Sequence, residues 1–212
     1  TRCSRDWSSD VCSSDLDKGR PLSLAYKVTS TDKQGRFTLE KHIFTDPGGQ
    51  TLFVRSIFNT SLKGVRAYVA VNPYINNNGL GDFAKTTEQG LVAWEDDNFL
   101  TLQSSTPFKM QSVGFTGVSD GITSLKKQHT LSKQYSNTGD KAGNVTLLAE
   151  LGNIDSNTTF DLALSFGKTQ QQSHRQGAQS LSKGYQNVLD AYNGKGEALG
   201  WEDYLQSLEP LN

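Results

Sequence analysis

An alternation of apolar and polar residues runs through most of the chain, from Leu22 to Phe166. In "GRFTLEKHIFTD", for example, Phe37, Leu39 and Ile43 share one face. A period of two residues is typical of β-strands, and so is enrichment in Val, Ile, Phe and Tyr. The chain therefore predicts roughly nine or ten strands. Besides the first two, at 22–31 and 35–46, the predicted strands lie in 50–61, 65–74, 90–96, 99–105, 109–117, 144–151 and 159–167.

The connections between the first strands are short and rich in turn-forming residues. "TDKQG" and "TDPGGQ" combine Asp, Pro and Gly, each of which favours a tight turn. Such loops join antiparallel neighbours, because parallel strands need a crossover of about a dozen residues or more. The number of strands is sufficient for two sheets that bury a common core. We therefore predict a mainly β, antiparallel two-sheet domain over residues 17–168.

The pattern changes at Thr169, where apolar residues recur every three or four positions, as on an amphipathic helix. Thr169 and Gln172 have the spacing of a capping box, and Asn193-Gly194 has the composition of a helix C-terminus. We predict one helix over 169–195 and a shorter one within 196–212. Their apolar stripe predicts an interface with another domain, formed by Leu181, Tyr185, Val188, Leu189, Tyr192, Trp201 and Leu205.

Composition and charge exclude several classes of partner. Hydrophobic residues make up 34% of the 212 positions, and the 20 glycines agree with a loop-rich β protein. The formal net charge is -1 with no basic block, which argues against nucleic acid. No apolar run approaches the roughly 20 residues of a membrane span. The histidines are scattered without ligand spacing, so we predict no metal site and no cofactor.

The first sixteen residues, "TRCSRDWSSDVCSSDL", differ in character from the rest. They contain both cysteines, Cys3 and Cys12, yet show neither a helical nor a strand period. Back-translation of "DWSSDVCSSDL" gives the nucleotide sequence of a standard sequencing adapter. We therefore interpret residues 1–16 as a translated adapter. The remaining chain then has no cysteine for disulfides or thiolate metal sites, and Trp7 is excluded from the candidate sites.

Several segments of the chain resemble successive blocks of one known domain. They are "YKVTSTDKQGRFTLEKHIFTDPGGQTLFVRSIF", "YVAVNPYINNNGLGD", "SVGFTGVSDGITSL", "GNVTLLAEL" and "FDLALSFGKT". In this order they resemble the N-terminal β-sandwich (glucodextranase-like) domain of bacterial family-15 glycoside hydrolases, the glucoamylases and glucodextranases. The closing "GWEDYLQSLEP" is similar to the segment that leads from that domain's linker helix into the catalytic (α/α) barrel. The resemblance covers nearly all of residues 20–212.

This resemblance implies a galactose-mutarotase-like supersandwich of two large antiparallel sheets, N-terminally truncated relative to family members, which begin several strands earlier. It implies a linker helix over 169–195 and, in 196–212, the start of the segment leading into an absent barrel. The parent enzyme would be an inverting, glucose-releasing α-glucan exo-hydrolase in the periplasm or outside the cell, with the cytoplasm as the alternative. Its paired glutamates would lie in the barrel, so we assign no catalytic residue to this chain. The expected partners are that barrel and an α-glucan.

The most unusual loop is "NPYINNNGLGD" (72–82). Its asparagine amides suit sugar hydroxyls, and its tyrosine offers a ring that could stack on a pyranose. A plainer interpretation is a turn that needs positive φ, and a third is a contact with the catalytic domain or the rim of its substrate site. The candidate residues of this loop are Tyr74, Asn76, Asn77, Asn78 and Asp82.

Two further residues have alternative interpretations. Asp120 is either the N-cap of a helical turn or a contact with the neighbouring domain. Trp94 is either a sugar-stacking platform or a core residue at an alternating strand position. The acidic run 95–97 is interpreted as a hairpin turn, because its spacing matches no calcium-loop signature.

These features support three functional hypotheses. The first is a non-catalytic accessory domain that packs on the catalytic barrel and supports its folding. The second is an autonomous carbohydrate-binding module with Tyr74, Trp94 and the asparagine loop in one groove. The third is a mutarotase-like sugar epimerase, which needs a histidine and a carboxylate as acid and base. No partner is evident in the sequence for His42, His129 or His174.

Overall fold

The computed structural model describes residues 7–13, 16–17, 20–21, 23–152, 154–196 and 199–208, with side chains from Ser23 onward. The described part is mainly β, as the alternation predicts. Its strands are β1 (Trp7–Ser13), β2 (Leu16–Asp17), β3 (Arg20–Pro21), β4 (Tyr26–Asp32), β5 (Phe37–Asp46), β6 (Thr51–Thr60), β7 (Tyr68–Val71), β8 (Phe83–Thr87), β9 (Gly90–Glu95), β10 (Asn98–Ser104), β11 (Phe108–Phe115), β12 (Val145–Leu151) and β13 (Asn157–Gly167). Its helices are α1 (Ile122–Gln128), α2 (Gln170–Lys183), α3 (Tyr185–Asn193) and α4 (Trp201–Ser207).

The strands form two main antiparallel sheets. The large sheet has eight strands in the order β1-β4-β5-β6-β13-β10-β9-β8, and the small sheet has three in the order β11-β12-β7. β2 and β3 form a separate two-stranded ladder. The predicted two-sheet antiparallel architecture is confirmed. The sheets are unequal, however: in the described ranges the second sheet has three strands, whereas the resemblance implies two large sheets.

The main hydrophobic core lies between the small sheet and one face of the large sheet. Leu91 and Leu102 of the large sheet pack in one cluster with Val113 and Leu147 of the small sheet, and all four side chains are fully buried. β12 is buried at every position, because it is the central strand of the small sheet and its outer face is covered as well. This continuous burial agrees with the five apolar residues of "VTLLAEL", and the buried Glu150 accepts a hydrogen bond from the Tyr68 hydroxyl at 2.9 Å.

The two predicted turns close the hairpins β4–β5 and β5–β6. In the first, Gly35 has a φ of 67°, and its N–H donates to the Asp32 carbonyl at 2.8 Å. Glycine adopts this φ without strain because it has no Cβ. The Asp32 carboxylate also accepts hydrogen bonds from Arg36 Nε at 2.6 Å and Nη2 at 2.8 Å. The turn chemistry thus fixes the register of β5 against β4.

The opposite face of the large sheet is covered by α2 and α3, so the domain has three layers. Val188 and Leu189 of α3 pack in one buried cluster with Phe44 of β5 and Phe53 of β6. α2 packs on β13 and β10. The predicted N-cap of α2 is confirmed, since Thr169 Oγ1 accepts a hydrogen bond from the backbone N–H of the third helical residue at 3.1 Å.

The prediction of a single helix over 169–195 is wrong at Gly184. This residue has φ 77° and ψ 160°, outside the helical region, so α2 ends before it and α3 begins after it. Glycine tolerates this conformation, which other residues adopt only with strain. The apolar period continues across the break, and for that reason the pattern resembles one helix. The break separates the part that packs on β13 and β10 from the part that packs on β5.

A buried carboxylate ties α2 to the turn between β5 and β6. The side chain of Asp46 is 1% exposed and accepts hydrogen bonds from Lys183 Nζ at 2.9 and 3.0 Å, Ser180 Oγ at 2.7 Å and the Gly48 N–H at 2.9 Å. Burial alone would raise the pKa of Asp46, but the bonds from Lys183 and Ser180 outweigh it and lower the pKa. The group therefore stabilises the fold above its unfolded pKa, and this contribution is lost as pH falls through the lower folded value.

β1 lies at the edge of the large sheet and pairs with β4 from Trp7 to Ser13. This backbone belongs to the stretch that we interpret as a translated adapter. Main-chain pairing at an open sheet edge does not depend on which side chains the added strand carries. The adapter interpretation therefore stays a prediction. Residues 1–6, including Cys3, lie outside the described residues.

Candidate functional site

The loop 72–82 presents Tyr74 at the surface on a fixed support. Tyr74 is 59% exposed, whereas Pro73 and Ile75 on either side of it are buried. A Cβ atom at Gly79 would lie between 2.5 and 2.9 Å from atoms of the Tyr74 ring. The ring therefore rests on the backbone of Gly79, and any larger residue there would displace it.

The asparagines of this loop both form a turn and take part in a polar network. Asn76 and Asn77 have φ values of 55° and 56°, the left-handed conformation that the turn interpretation predicts. Asn76 Oδ1 accepts a hydrogen bond from Asn98 Nδ2 at 2.5 Å. Asn78 Nδ2 donates to Glu95 Oε1 at 3.3 Å. All three side chains of 76–78 remain exposed, so the turn leaves their amides accessible.

A cavity of about 370 Å³ is lined by this loop and by the C-terminal end of β13. Tyr74 and Asn76 contribute from the loop, and Phe166 and Lys168 from β13 and the residue after it. Phe166 is 44% exposed and was not singled out in the sequence. Its position in "TFDLALSFG" gives it the same strand face as buried residues, which concealed it.

Asp82 lies beneath the loop as a fully buried carboxylate. Neither of its oxygens has a hydrogen-bond partner, and Glu95 Oε2 is also buried without one. Burial and the charge of Glu95 raise the pKa of Asp82 to about 6. The backbone N–H of Ile75 lowers the pKa of Asp82 in part, although it makes no regular hydrogen bond with either carboxylate oxygen. Asp82 is thus placed inside the domain, away from any surface ligand.

Asp82→Asn is expected to stabilise the fold by about 2 kcal/mol at pH 7.5 and to have little effect at pH 4. The folded pKa lies above the unfolded one, so the native state holds the proton more tightly. The stability that this provides is present below about pH 4 and is lost as pH rises through about 6. Asparagine mimics the protonated form. Urea titrations at both pH values measure the difference, with exposed Asp140→Asn as the matched control. Equal effects at both pH values would contradict this assignment.

The structure places Trp94 and Asp120 in structural contacts. The Trp94 ring stacks between Phe83 and Phe99, with centroid distances of 5.6 and 6.3 Å, and Lys85 lies over it. Asp120 is buried and accepts hydrogen bonds from the backbone N–H groups of residues 117 and 122 at 2.8 and 3.0 Å. The prediction of Asp120 as N-cap is corrected, because the N-cap of α1 is Gly121 and Asp120 precedes it. Trp94 is half-buried in an aromatic row outside the described core clusters. Trp94 does not line the cavity that Tyr74 borders.

The structure gives His42 a carboxylate neighbour that was not evident in the sequence. His42 Nε2 lies 2.8 Å from Glu40 Oε1, and Nδ1 lies 2.6 Å from the Tyr185 hydroxyl. The contact with Glu40 lies within β5, and the contact with Tyr185 joins β5 to α3, so neither opens toward a cleft. Neither the cavity near Tyr74 nor the one beside α4 includes His42. This arrangement gives no support to an epimerase site.

The predicted interface stripe divides into two parts. Val188 and Leu189 are buried on the domain's own large sheet, and Leu181, Tyr185 and Tyr192 pack against the same cluster. The structure corrects the expectation that this part of the stripe faces another domain. These residues cover the apolar face of β5 and β6 within the same domain. The other two stripe residues, Trp201 and Leu205, belong to α4, which contains no buried residue.

Trp201 belongs to an exposed surface that we call the α4 face, which it forms with Leu199, Tyr204 and Leu208, whereas Leu205 is half-buried. Leu199 is 90% exposed and Tyr204 54% exposed. A cavity of about 590 Å³ lies beside it, bordered also by Thr45 and Pro47. Trp201 connects the face to the core, since its ring lies 6.2 Å from that of Tyr192.

Metal-binding clusters and membrane-spanning helices are both absent from the ranges that the structure describes. Among these residues, no group of three or more His, Cys, Asp or Glu side chains is arranged to hold a metal ion. Within the same ranges, no helix combines the length and apolar character needed to cross a membrane.

Fold and site together define the class: a β-sandwich domain with a helical layer and an exposed apolar helix at its C-terminal end. The family model described as "Glucodextranase, domain N" matches residues 4–206, so the chain belongs to this family. The match overlaps the adapter-like stretch at residues 4–16. The chain is thus a glucodextranase-type N-terminal domain of glucoamylase-like enzymes.

Individual relatives agree with this assignment. A glucoamylase from Clostridium sp. (strain G0005) is 29% identical over 206 residues, which are 94% of this chain and 28% of that protein. The crystal structure of a bacterial glucoamylase complexed with acarbose matches with a TM-score of 0.82 and 27% identity, over 97% of this chain and 29% of that one. A family GH92 inverting mannosidase from Bacteroides thetaiotaomicron shares the fold, with a TM-score of 0.50, 11% identity and coverage of 89% and 26%. The chain therefore spans less than a third of these relatives.

Proposed function

We propose that this domain is the non-catalytic accessory domain of an inverting, glucose-releasing α-glucan exo-hydrolase of the glucoamylase or glucodextranase type. In this role it packs on a catalytic (α/α) barrel and supports its folding. The observation that carries the proposal is the α4 face, an apolar surface that the domain itself leaves uncovered. The relatives support it, because glucoamylases contain this domain as less than a third of their length.

The α4 face has the properties of a docking surface. Exposed apolar side chains scattered singly are common, but a contiguous patch of them marks a contact site, and the four residues of the α4 face lie on or directly beside one short helix. Tyr204 and Trp201 form an edge-to-face pair with centroids 5.7 Å apart, and Trp201 in turn contacts Tyr192. Tyr192 lies 5.8 Å from Phe44 in the helical-layer core. A partner bound at this face would therefore contact side chains anchored in the domain.

A chimera tests this role. Residues 23–208 replace the matching segment of the Clostridium sp. glucoamylase, and release of glucose from maltotetraose is measured together with the Tm. We expect an active chimera, whereas the 212-residue chain alone releases no glucose. Leu199→Ser with Tyr204→Ser should lower the chimera's stability by about 2–4 kcal/mol, because each side chain buries apolar area only when docked.

The matched control is Leu62→Ser, an exposed leucine remote from α4. It should leave the Tm of the chimera within about 2 °C of the parent chimera. Glucose release by the chain alone would contradict the non-catalytic role. An unchanged Tm in the α4 double variant would contradict the docking role.

A further inference from the structure

We propose that the cavity bordered by Tyr74 and Phe166 binds a pyranose unit of a neutral gluco-oligosaccharide, the choice of glucose resting on the proposed function. This inference goes beyond the accessory role and does not depend on docking through α4. It differs from the groove expected from the sequence, because Phe166 replaces Trp94 as the second aromatic residue.

The first argument is the presentation of the aromatic rings. Ligand pockets for small molecules are mostly apolar with a few oriented polar groups, and a volume near 370 Å³ falls in their usual range of about 300–1,000 Å³. Tyr74 lies between buried Pro73 and Ile75 and against the backbone of Gly79, so the space open to its exposed ring is restricted before a ligand arrives. A restricted ring loses less conformational entropy on binding than a free one. Its face suits the C–H face of a pyranose.

The second argument is the polar lining, which suits a neutral polyol. Asn76 and Asn98 are joined by a hydrogen bond of 2.5 Å, which orients both amides at the cavity. Gln50 and Gln172 also line it. Amides both donate and accept, as the hydroxyls of a sugar do.

The third argument is the charge balance. Lys168 is the cation among the described lining residues, and its Nζ contacts Asn98 Oδ1 at 2.7 Å and Asp97 Oδ1 at 3.3 Å. Because Lys168 is paired with Asp97, the two side chains together carry no net positive charge. A phosphate or carboxylate ligand is therefore disfavoured relative to an uncharged one.

Calorimetric titration of the 212-residue chain with maltotetraose, isomaltotetraose and cellotetraose tests the proposal. We expect at least one of the three sugars to bind with a Kd below about 10 mM. Tyr74→Ala and Phe166→Ala should each weaken the binding by about tenfold. Thermal melts of each variant check the fold. Both substitutions should leave the fold intact, because both side chains are exposed.

Two variants separate ring position from ring presence. Gly79→Ala keeps Tyr74 but displaces its ring, so it should weaken binding as Tyr74→Ala does. Leu80→Ser changes an exposed residue of the same loop outside the cavity and should bind like the unaltered chain. The proposal is overturned by no binding of any of the three sugars up to about 10 mM, or by unchanged affinity in Tyr74→Ala or Gly79→Ala.

Discussion

Phe53→Ala is expected to lower the free energy of unfolding by about 3–5 kcal/mol. Phe53 is fully buried and stacks on Phe44 with ring centroids 5.5 Å apart. It also packs in one cluster with Val188 and Leu189 of α3. Removal of the ring deletes its transfer free energy and leaves a cavity that a β-strand cannot collapse. The predicted loss is a large part of the stability of a typical domain.

Urea unfolding followed by circular dichroism measures this effect. The matched control is Phe166→Ala on the neighbouring strand, the same chemical change at a half-exposed side chain. We expect the control to cost less than about 1 kcal/mol. Similar losses in the two variants would show that the interface between the large sheet and α3 is not a true core.

Lys183→Met is expected to cost about 2–3 kcal/mol at pH 7 and clearly less below pH 4. The substitution leaves the Asp46 carboxylate buried with only Ser180 and the Gly48 N–H as donors. Burial then dominates and raises the pKa of Asp46, where the lysine had lowered it. The difference between variant and unaltered chain is therefore largest when Asp46 is ionised and narrows as it becomes protonated.

Urea titrations at pH 7 and pH 3.5 measure this pH dependence. The double variant Asp46→Asn, Lys183→Met removes the buried charge and should recover more than half of the loss at pH 7. Lys168→Met is the control, because its ion pair with Asp97 is exposed and contributes little. A loss in Lys183→Met that is independent of pH would assign the effect to packing of the lysine stem instead.

The sheet architecture could be predicted from the sequence because strands and turns are encoded by residues that are neighbours in the chain. Alternation and turn residues are both read within a few positions, and the hairpins around Gly35 and Gly49 follow from them. The asparagine turn at 76–77 was predictable for the same reason, since few residues other than glycine accept its φ.

Other features depend on what lies opposite each strand, which alternation does not encode. Phe160, Leu162 and Phe166 share one strand face, but only the first two are buried, because the small sheet is too narrow to cover the end of β13. The apolar stripe of α3 was assigned to an outside partner for a related reason. Nothing in the pattern of Val188 and Leu189 reveals that their partner is the second face of the same sheet.

The burial of α3 on Phe44 and Phe53 also defines the unit that can be transferred between proteins. On one face of the large sheet, Phe44 and Phe53 are covered by residues that follow β13 in the chain. A gene rearrangement with its junction at residue 168 would deliver a sandwich with a bare hydrophobic face. A junction after Gly194, the C-cap of α3, would deliver a domain whose hydrophobic face is covered. The sequence of α4 could then differ from one recipient enzyme to the next. Lineages that exchange this domain should therefore retain α2 and α3 with it.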